Sequence, residues 1–218
     1  SQSDPCLWGG AGKKAICFPG YKMENGECQP LFDLKNNGRQ CDATKYPITF
    51  STGNKWLSEV DYTGNGTLRF VRAYNTASGT GSTALGMNWQ STYSQSLDLG
   101  SSSFVLVNRP DGKIFKMQIT GNAYIADADI TYRLYRETDA GGSQIAYRLE
   151  IADKSIERYD LAGRLISITD PSGQTQTLAY DVQNRLSTVT DSFGRRLTLT
   201  YTVKNRIASI KDPSGAIT

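Results

Sequence analysis

Residues 159–218 read YDLAGRLISITDPSGQTQTLA, YDVQNRLSTVTDSFGRRLTLT and YTVKNRIASIKDPSGAIT, three copies with a period of 21 residues. Each copy begins with a tyrosine, has Gly or Asn at its fifth position, and later contains Asp-x-x-Gly. These positions are Tyr159, Gly163, Asp170 and Gly173; Tyr180, Asn184, Asp191 and Gly194; and Tyr201, Asn205, Asp212 and Gly215. Such a period predicts a repeat architecture in which each copy is one supersecondary unit.

Each copy contains the residues of two turns and two strands. The Gly or Asn position suits a residue with positive φ, which these two residues tolerate best. The Asp-x-x-Gly tetrad predicts a type I turn, with Pro171 and Pro213 setting φ at its second position. Between the turns, short stretches rich in Thr, Leu, Ile and Val predict strands with one apolar face. One copy cannot bury that face alone, so neighbouring copies must continue a common sheet.

The whole chain predicts an all-β protein in three parts. Residues 1–45 form a disulfide-stapled N-terminal arm, residues 46–157 a β domain, and residues 158–218 an antiparallel β-hairpin repeat sheet. In the β domain, Arg109-Pro110-Asp111-Gly112 is a strong hairpin-turn signal. The strands predicted there are 47–50, 55–62, 67–74, 103–108, 113–119, 130–135 and 145–151.

All four cysteines, Cys6, Cys17, Cys28 and Cys41, lie in the first 41 residues. This even, clustered set predicts two disulfides formed in an oxidising compartment. A structural zinc site is the alternative, but zinc sites prefer cysteine pairs two to four residues apart, and no such pair is present. Three disulfide pairings remain open. The segment from Cys17 to Cys28 is similar to the closing loop of an EGF-type module, which favours the Cys17–Cys28 pairing.

Composition argues against several classes of function. The chain has no histidine, the commonest general base and metal ligand, so we expect no enzyme, no catalytic residue, no cofactor and no metal site. The net charge of +3 comes from scattered Lys and Arg residues rather than a basic patch, so we expect no nucleic-acid partner. No apolar run approaches the roughly 20 residues of a membrane-spanning helix, and we expect no membrane insertion. No signal-peptide pattern follows Ser1, so we expect that one has already been removed.

Three other features have both a functional and a structural interpretation. The tyrosine column suits a sugar-binding ladder, but regularly spaced apolar residues usually mark packing. The column of Arg164, Arg185 and Arg206 suits either an anionic polymer or pairing with neighbouring acids. A set of carboxylates offers oxygen ligands for Ca²⁺, but without a recognised loop spacing we expect them to be solvated surface. These carboxylates are Asp127, Asp129, Glu137, Asp139 and Asp153.

The three copies resemble the YD repeat of the Rhs family, Tyr-Asp-x-x-Gly-Arg-Leu followed by Asp-x-x-Gly, and the third copy departs from it at Thr202. Upstream, TGNK at 52–55, EVDY at 59–62, LRFVRAYN at 68–75, LGMNW at 85–89 and Tyr93 resemble the domain that precedes YD repeats in bacterial Rhs proteins. That domain usually carries Gly-x-Gly-Trp, and Asn88 replaces the second Gly here.

The resemblance implies a β-sheet strip that spirals into a hollow shell, with the preceding domain at one end. We expect a bacterial, secreted or cell-surface, non-catalytic structural protein that forms part of a shell or a self-assembling, filament-like structure. One alternative is the N-terminal part of a polymorphic toxin cocoon that encloses and delivers a C-terminal toxin. Another is a cell-surface adhesin or glycan-binding module. The expected partners are further YD repeats or copies of the chain, an enclosed toxin domain, or cell-surface glycans.

Overall fold

In the computed structural model, the chain folds into antiparallel β-sheets. The structure describes residues 53–64, 66–78 and 83–218 in full, and residues 6–8, 15–17, 21–24, 27–30 and 82 by their backbone alone. Among these residues there is no helix, and hence none long and apolar enough to span a membrane. The prediction of an all-β fold made of antiparallel sheets is confirmed.

The region before the repeats contains several small sheets. Its strands are β1 (Cys6–Trp8), β2 (Ala15–Cys17), β3 (Tyr21–Glu24), β4 (Glu27–Pro30), β5 (Trp56–Thr63), β6 (Arg69–Asn75), β7 (Ser82–Thr83), β8 (Gly86–Met87), β9 (Trp89–Ser91), β10 (Ser96–Asp98), β11 (Phe104–Asn108), β12 (Ile114–Thr120) and β13 (Ala123–Ala126). The pairs β1–β2, β3–β4 and β7–β8 are two-stranded, β5–β6–β9 is three-stranded, and β10 to β13 form a four-stranded sheet in sequence order.

The predicted disulfides fall on residues that are not described in full. This applies to Cys6, Cys17, Cys28 and Cys41, and equally to the predicted strand at 47–50. Both therefore stay predictions. Asn88, which replaces a glycine of the family pattern, has φ of 63°. Asn is the residue other than Gly that most readily adopts this left-handed conformation, so the replacement keeps the turn.

The repeats form one eight-stranded antiparallel sheet, which we call the strip. Its strands follow in sequence order: β14 (Arg133–Thr138), β15 (Gln144–Glu150), β16 (Ile156–Tyr159), β17 (Leu165–Thr169), β18 (Thr175–Tyr180), β19 (Leu186–Thr190), β20 (Arg196–Tyr201) and β21 (Ile207–Lys211). The strip therefore begins at Arg133, within the range predicted for the preceding β domain.

Residues 138–158 form a degenerate copy that the sequence pattern conceals. A register shift lies between Glu137 and Thr138, and the same irregularity recurs immediately before Tyr159, Tyr180 and Tyr201, a spacing of 21 residues. In this copy Thr138 stands at the tyrosine position. Because β-bulges increase the local twist of a strand, we expect the twist of the strip to rise at the same interval of 21 residues.

The turns between consecutive strands of the strip share one hydrogen-bonding pattern. In the turn after β17, the N–H of Gly173 donates to the carbonyl oxygen of Asp170 (2.9 Å), and the N–H of Asp170 donates to the carbonyl oxygen of Gln174 (3.0 Å). Gly173 has φ of 86°, so the connection is a type I turn followed by a left-handed residue. The left-handed residues at the same position of the other turns are Gly142, Lys154, Gly163, Asn184, Gly194 and Asn205, and Gly215 takes this position in the turn after β21.

One hydrophobic core joins the strip to the region before it. On the inner face of the strip, Leu178, Val189 and Leu197 lie side by side on adjacent strands and are buried. They belong to the same cluster as Phe70 and Met117 of the preceding sheets. Burial of each such side chain stabilises the fold by about 2 kcal/mol. The outer face of the same strands is rich in threonine, including Thr177, Thr188, Thr190, Thr198 and Thr200.

Candidate functional site: the row of tyrosine–aspartate turns

The turns that follow the repeat tyrosines lie at one end of the strip. Because consecutive strands are antiparallel, alternate turns lie at opposite ends of the sheet. The turns 160–163, 181–184 and 202–205 therefore form one row, which we call the YD row, and the Asp-x-x-Gly turns form the other. Side chains repeated at this spacing come from every second strand, about 10 Å apart.

In the first copy, the aspartate after the tyrosine holds its own turn. One carboxylate oxygen of Asp160 accepts hydrogen bonds from the backbone N–H groups of Ala162 (3.0 Å) and Arg164 (2.9 Å). The other accepts from the guanidinium of Arg164, with Nε at 2.7 Å and Nη2 at 2.6 Å. Aspartate side chains commonly form such turns because they reach the backbone two residues on.

The arginines of the first and second copies also contact the copy that follows. The guanidinium of Arg164 lies 5.1 Å from the ring centroid of Tyr180 and donates to the side-chain oxygen of Asn184. Arg185 repeats the arrangement, with its guanidinium 4.5 Å from the ring of Tyr201 and its Nη1 2.9 Å from the side-chain oxygen of Asn205. The arginine thus connects its own aspartate to the tyrosine and asparagine of its neighbour, with both ion-pair and cation–π interactions.

The repeat tyrosines also donate hydrogen bonds backwards along the strip. The hydroxyl of Tyr180 donates to the carbonyl oxygen of Leu165 (2.7 Å), and that of Tyr201 donates to the carbonyl oxygen of Leu186 (2.8 Å). Burial raises the pKa of both phenols to about 12. With one ring face toward an arginine and the hydroxyl bonded to the backbone, these tyrosines stabilise the contact between copies.

Tyr159 has a different environment from its two equivalents. It is fully buried, and its hydroxyl donates to Glu157 (2.5 Å). Glu157 is itself buried and pairs with both terminal nitrogens of Arg109, at 2.5 and 2.8 Å. Burial followed by the charge of Glu157 raises the pKa of Tyr159 well above its ordinary value.

The Arg109–Glu157 pair joins the hairpin turn of β11–β12 to strand β16 of the strip. Burial alone lowers the pKa of Arg109, but the charge and hydrogen bonds of Glu157 outweigh it and the net pKa is raised. The guanidinium also lies 5.2 Å from the ring of Tyr132. Removing either partner of such a buried charge pair strongly destabilises the fold, because the other charge is then left unpaired away from water.

The third copy changes the pattern at one residue. Thr202 replaces the aspartate. Its hydroxyl oxygen accepts hydrogen bonds from the backbone N–H groups of Lys204 (3.3 Å) and Arg206 (3.2 Å), which are longer than those of the aspartates. The guanidinium of Arg206 donates to the backbone carbonyl oxygen of Thr83.

The preceding region lies against the YD row through its backbone. The N–H of Leu97 donates to the carbonyl oxygen of Gly163 (2.8 Å), and the N–H of Ile207 donates to the carbonyl oxygen of Ala84 (2.9 Å). The Tyr93 hydroxyl donates to the side-chain oxygen of Gln176 (2.7 Å). The approach at the first copy is so close that a Cβ atom added to Gly163 would lie 2.1 Å from the carbonyl oxygen of Leu97.

The Asp-x-x-Gly turns at the other end of the strip have the same local chemistry. Asp170 and Asp212 accept hydrogen bonds from the hydroxyls of Ser172 and Ser214 and from nearby backbone N–H groups, which lower the pKa of both carboxyls. For Asp191, burial raises the pKa, but the hydrogen bonds from the Arg195 guanidinium and from the backbone N–H groups of Arg195 and Phe193, together with the charge of Arg195, outweigh burial and the net pKa is lowered. Gly173, Gly194 and Gly215 close these turns with positive φ.

The carboxylates considered for Ca²⁺ do not form a shared site. Asp139 and Asp153 accept backbone N–H groups in strip turns, and Glu137 pairs with Arg158 at 2.6 Å. Asp127 and Asp129 lie in the turn after β13. In the part of the chain that the structure describes, no group of three or more His, Cys, Asp or Glu side chains is arranged to hold a metal ion.

The Arg109–Glu157–Tyr159 cluster is the feature that sequence reasoning missed. The only local signal is that Glu157 pairs in register with Leu149 and Ile168 on the neighbouring strands, so a charged residue occupies an inward-facing position of the strip. Such a position predicts a buried partner, but its identity depends on a hairpin turn 48 residues earlier.

The geometry defines an antiparallel β-repeat protein whose repeated polar residues hold one copy to the next. Comparison with protein families agrees: residues 159–196 and 180–217 match the model described as RHS Repeat, and residues 45–117 match one described as a domain of unknown function (DUF6531). The chain belongs to the Rhs/YD-repeat family, and the DUF6531 domain commonly precedes such repeats. A comparison with curated proteins finds no match.

Proposed function

We propose that this chain is a secreted, non-catalytic scaffold segment whose strip forms part of the wall of a shell or of a self-assembling extracellular structure. RHS-repeat proteins are generally structural and typically extracellular or at the cell surface. The site supports this role because its polar residues are engaged in holding the strip together, as the contacts of Arg164, Arg185, Tyr180 and Tyr201 show.

One observation carries the proposal: the contacts between successive copies are the same. The first copy contacts the second through Arg164, Tyr180 and Asn184, and the second contacts the third through Arg185, Tyr201 and Asn205. Contacts that repeat in this way allow further copies to be added one after another, as in other repeat proteins whose units contact only their neighbours. A strip of this kind is suited to building a wall.

The region before the repeats supports a role in starting the strip. It covers the inner face at the level of Leu178 and Val189, reaches the YD row at Gly163 and Ile207, and fixes strand β16 through Arg109. Covering the inner face of the first copies shields apolar surface that each copy cannot bury alone.

Electron microscopy of the native secreted material, together with its intact mass, tests the proposal. Closed hollow particles or regular filaments with the strip in their walls are the expected result. A hollow particle from a longer product with an unrelated C-terminal domain inside it identifies the wall as that of a toxin cocoon. Dispersed monomers that bind cell-surface glycans contradict the wall role and favour an adhesin.

A further inference from the structure

Two rows of polar side chains cross the outer face of the strip between β18 and β21. Residues within a row pair in register on adjacent strands, about 5 Å apart. They alternate along their strands with buried side chains such as Val189 and Leu197, so they point away from the core. The first row is Thr177, Thr190 and Arg196, and the second is Thr188, Thr198 and Lys211; together we call them the threonine patch.

The four threonine hydroxyls of the patch are not used within the strip. Elsewhere on the same face, the hydroxyls of Thr169 and Thr175 bond each other at 2.8 Å, and those of Thr200 and Ser209 at 2.7 Å. In the described part of the chain, no group forms a hydrogen bond with the hydroxyl of a patch threonine. The strand propensity of threonine explains its place on an exposed face. It leaves each of these hydroxyls able to donate one hydrogen bond and to accept others.

The two cations of the patch have no acidic partner on the face that carries them. At the start of the strip the outer face has paired charges, as between Arg148 and Glu150 at 2.8 Å. Strands β17 to β21, by contrast, contain no Asp or Glu. Among the described residues, neither Arg196 nor Lys211 forms an ion pair. The charge of the outer face therefore changes along the strip from balanced to positive.

The carboxylates of the adjacent turns are held by their own turns. Asp191 pairs with Arg195 at 2.6 Å. Asp212 accepts hydrogen bonds from the backbone N–H (2.8 Å) and the hydroxyl (2.7 Å) of Ser214. The patch thus keeps an excess of positive charge, which complements an anionic ligand.

We propose that the threonine patch binds an anionic polysaccharide. Its sulfate or carboxylate groups pair with Arg196 and Lys211, and its sugar hydroxyls bond the patch threonines. Because both rows run along the strip, a linear polymer that lies across β18 to β21 meets a hydroxyl or a cation at every strand. This binding site goes beyond the role of the strip as a wall and does not depend on assembly of the chain.

Two other classes of macromolecule match the patch less well. The core of a protein–protein interface is apolar and rich in aromatic residues, and the two rows contain no large apolar side chain. Single-stranded nucleic acids stack their bases on aromatic rings, and the rows contain no aromatic residue, so a nucleic acid would be held through its phosphates alone. A polysaccharide uses both the hydroxyls and the cations.

Fluorescence anisotropy with the 218-residue chain tests the proposal. The labelled probes are dextran sulfate and polygalacturonate, with neutral dextran as the control polymer and single-stranded DNA as the competing class of ligand. We expect saturable binding of at least one of the two anionic polysaccharides, and binding that weakens at high ionic strength because exposed charges are screened by salt. Dextran should bind at least about tenfold more weakly. The better polysaccharide identifies the charged group as sulfate or carboxylate.

Matched variants locate the site on the chain. Arg196→Gln and Lys211→Gln should each weaken binding by about threefold. Arg133→Gln removes the same charge from the edge strand β14 and should leave binding unchanged. Thr190→Val removes one hydroxyl of the patch and should weaken binding by about threefold, whereas Thr138→Val on β14 should not. The melting temperature should stay the same in all five variants, which separates loss of the site from loss of the fold.

Four results would overturn the proposal. These are absence of saturable binding of both anionic polysaccharides, binding of dextran as tight as that of the anionic polymers, equal effects of Arg196→Gln and Arg133→Gln, or tighter binding of single-stranded DNA than of either polysaccharide. The last result would replace the polysaccharide by a nucleic acid as the ligand. Electron microscopy tests the wall separately, so either proposal can fail without the other.

Discussion

Gly163 and Gly173 have nearly the same backbone conformation, with φ of 80° and 86°, but different surroundings. An added Cβ at Gly173 meets no atom within 4 Å, whereas at Gly163 it lies 2.1 Å from the carbonyl oxygen of Leu97. Gly173→Ala should lower the free energy of unfolding by about 1 kcal/mol through backbone strain. Gly163→Ala should lower it by about 3 kcal/mol or more, because the backbone of the preceding region must also move.

Denaturant unfolding of the two variants checks this difference, and Gly173→Ala is the matched control. Equal losses for both variants would mean that the close approach of Leu97 to the first YD turn contributes nothing to stability.

Arg185 connects Asp181, Tyr201 and Asn205, so its replacement should affect the contact between two copies. We expect Arg185→Ala to lower the free energy of unfolding by about 1–2 kcal/mol. Arg185→Lys should recover less than half of that loss. Lysine lacks the planar guanidinium that stacks on the Tyr201 ring and forms a bidentate ion pair with Asp181. The exposed Arg196 on β20 is the control, and Arg196→Ala should change stability by less than about 0.5 kcal/mol. Similar effects at both positions would contradict the role given to the arginine column.

The buried tyrosines predict a loss of stability at alkaline pH. The pKa values of Tyr93, Tyr180 and Tyr201 are raised from 10.0 to about 12, mainly by burial. A raised folded-state pKa contributes stability that is fully present below the unfolded-state pKa and is lost as pH rises through the folded-state pKa. The free energy of unfolding should therefore fall between about pH 10 and pH 12. Thermal melts across this range measure the fall, and Tyr180→Phe should make it shallower; an unchanged profile would argue against burial of that hydroxyl.

At the scale of single elements, the Arg109–Glu157 pair fixes one hairpin turn to one strand of the strip. Arg109→Met should lower the free energy of unfolding by about 3–5 kcal/mol, because it leaves Glu157 buried without its partner. The double variant Arg109→Met with Glu157→Leu should recover at least half of that loss. Arg148 and Glu150 form a partly exposed pair at 2.8 Å, so Arg148→Met should cost less than about 1 kcal/mol. A loss at Arg109 no larger than at Arg148 would contradict the structural importance of the buried pair.

Elements whose conformation depends on nearby residues could be predicted from the sequence. The strands expected at 103–108 and 113–119 correspond to Phe104–Asn108 and Ile114–Thr120, since short apolar, β-prone runs on either side of the Pro-Asp-Gly turn specify them locally. The short strands β7, β8, β9 and β10 were not predicted. They have two or three residues each, too few to show a periodic pattern. They are defined by pairing: β7 with β8, β9 with β6 and β10 with β11.

In the candidate site, the turns could be predicted from the sequence, but the contacts between copies could not. The Asp-x-x-Gly and Tyr-Asp sequences identify the turns, because each aspartate bonds its own backbone. The hydrogen bond of Tyr180 to Leu165 and the stacking of Arg164 on Tyr180 connect residues 15 and 16 positions apart, between the adjacent strands β17 and β18. Such contacts follow from the register of the sheet rather than from local preference. The degenerate copy at 138–158 escaped detection because Thr138 and Lys154 stand at its tyrosine and glycine positions.

For the strip as a whole, we infer that it grows by adding copies with identical contacts. The contacts of Arg164 with Tyr180 and Asn184 recur between Arg185, Tyr201 and Asn205. A copy that brings its own turns and receives the same contacts should fit between existing copies. In repeat proteins, stability is approximately a sum of the stabilities of copies and of their interfaces.

The decisive test is hydrogen exchange on a chain with a second copy of residues 180–200 inserted directly after Thr200. The inserted copy should show two protected strand segments separated by exchanging turns, with protection equal to that of residues 180–200, and the chain should unfold at no lower denaturant concentration. A scrambled insert of the same composition is the control and should stay unprotected. An inserted copy that exchanges as fast as the scrambled one would show that the strip does not grow by repetition.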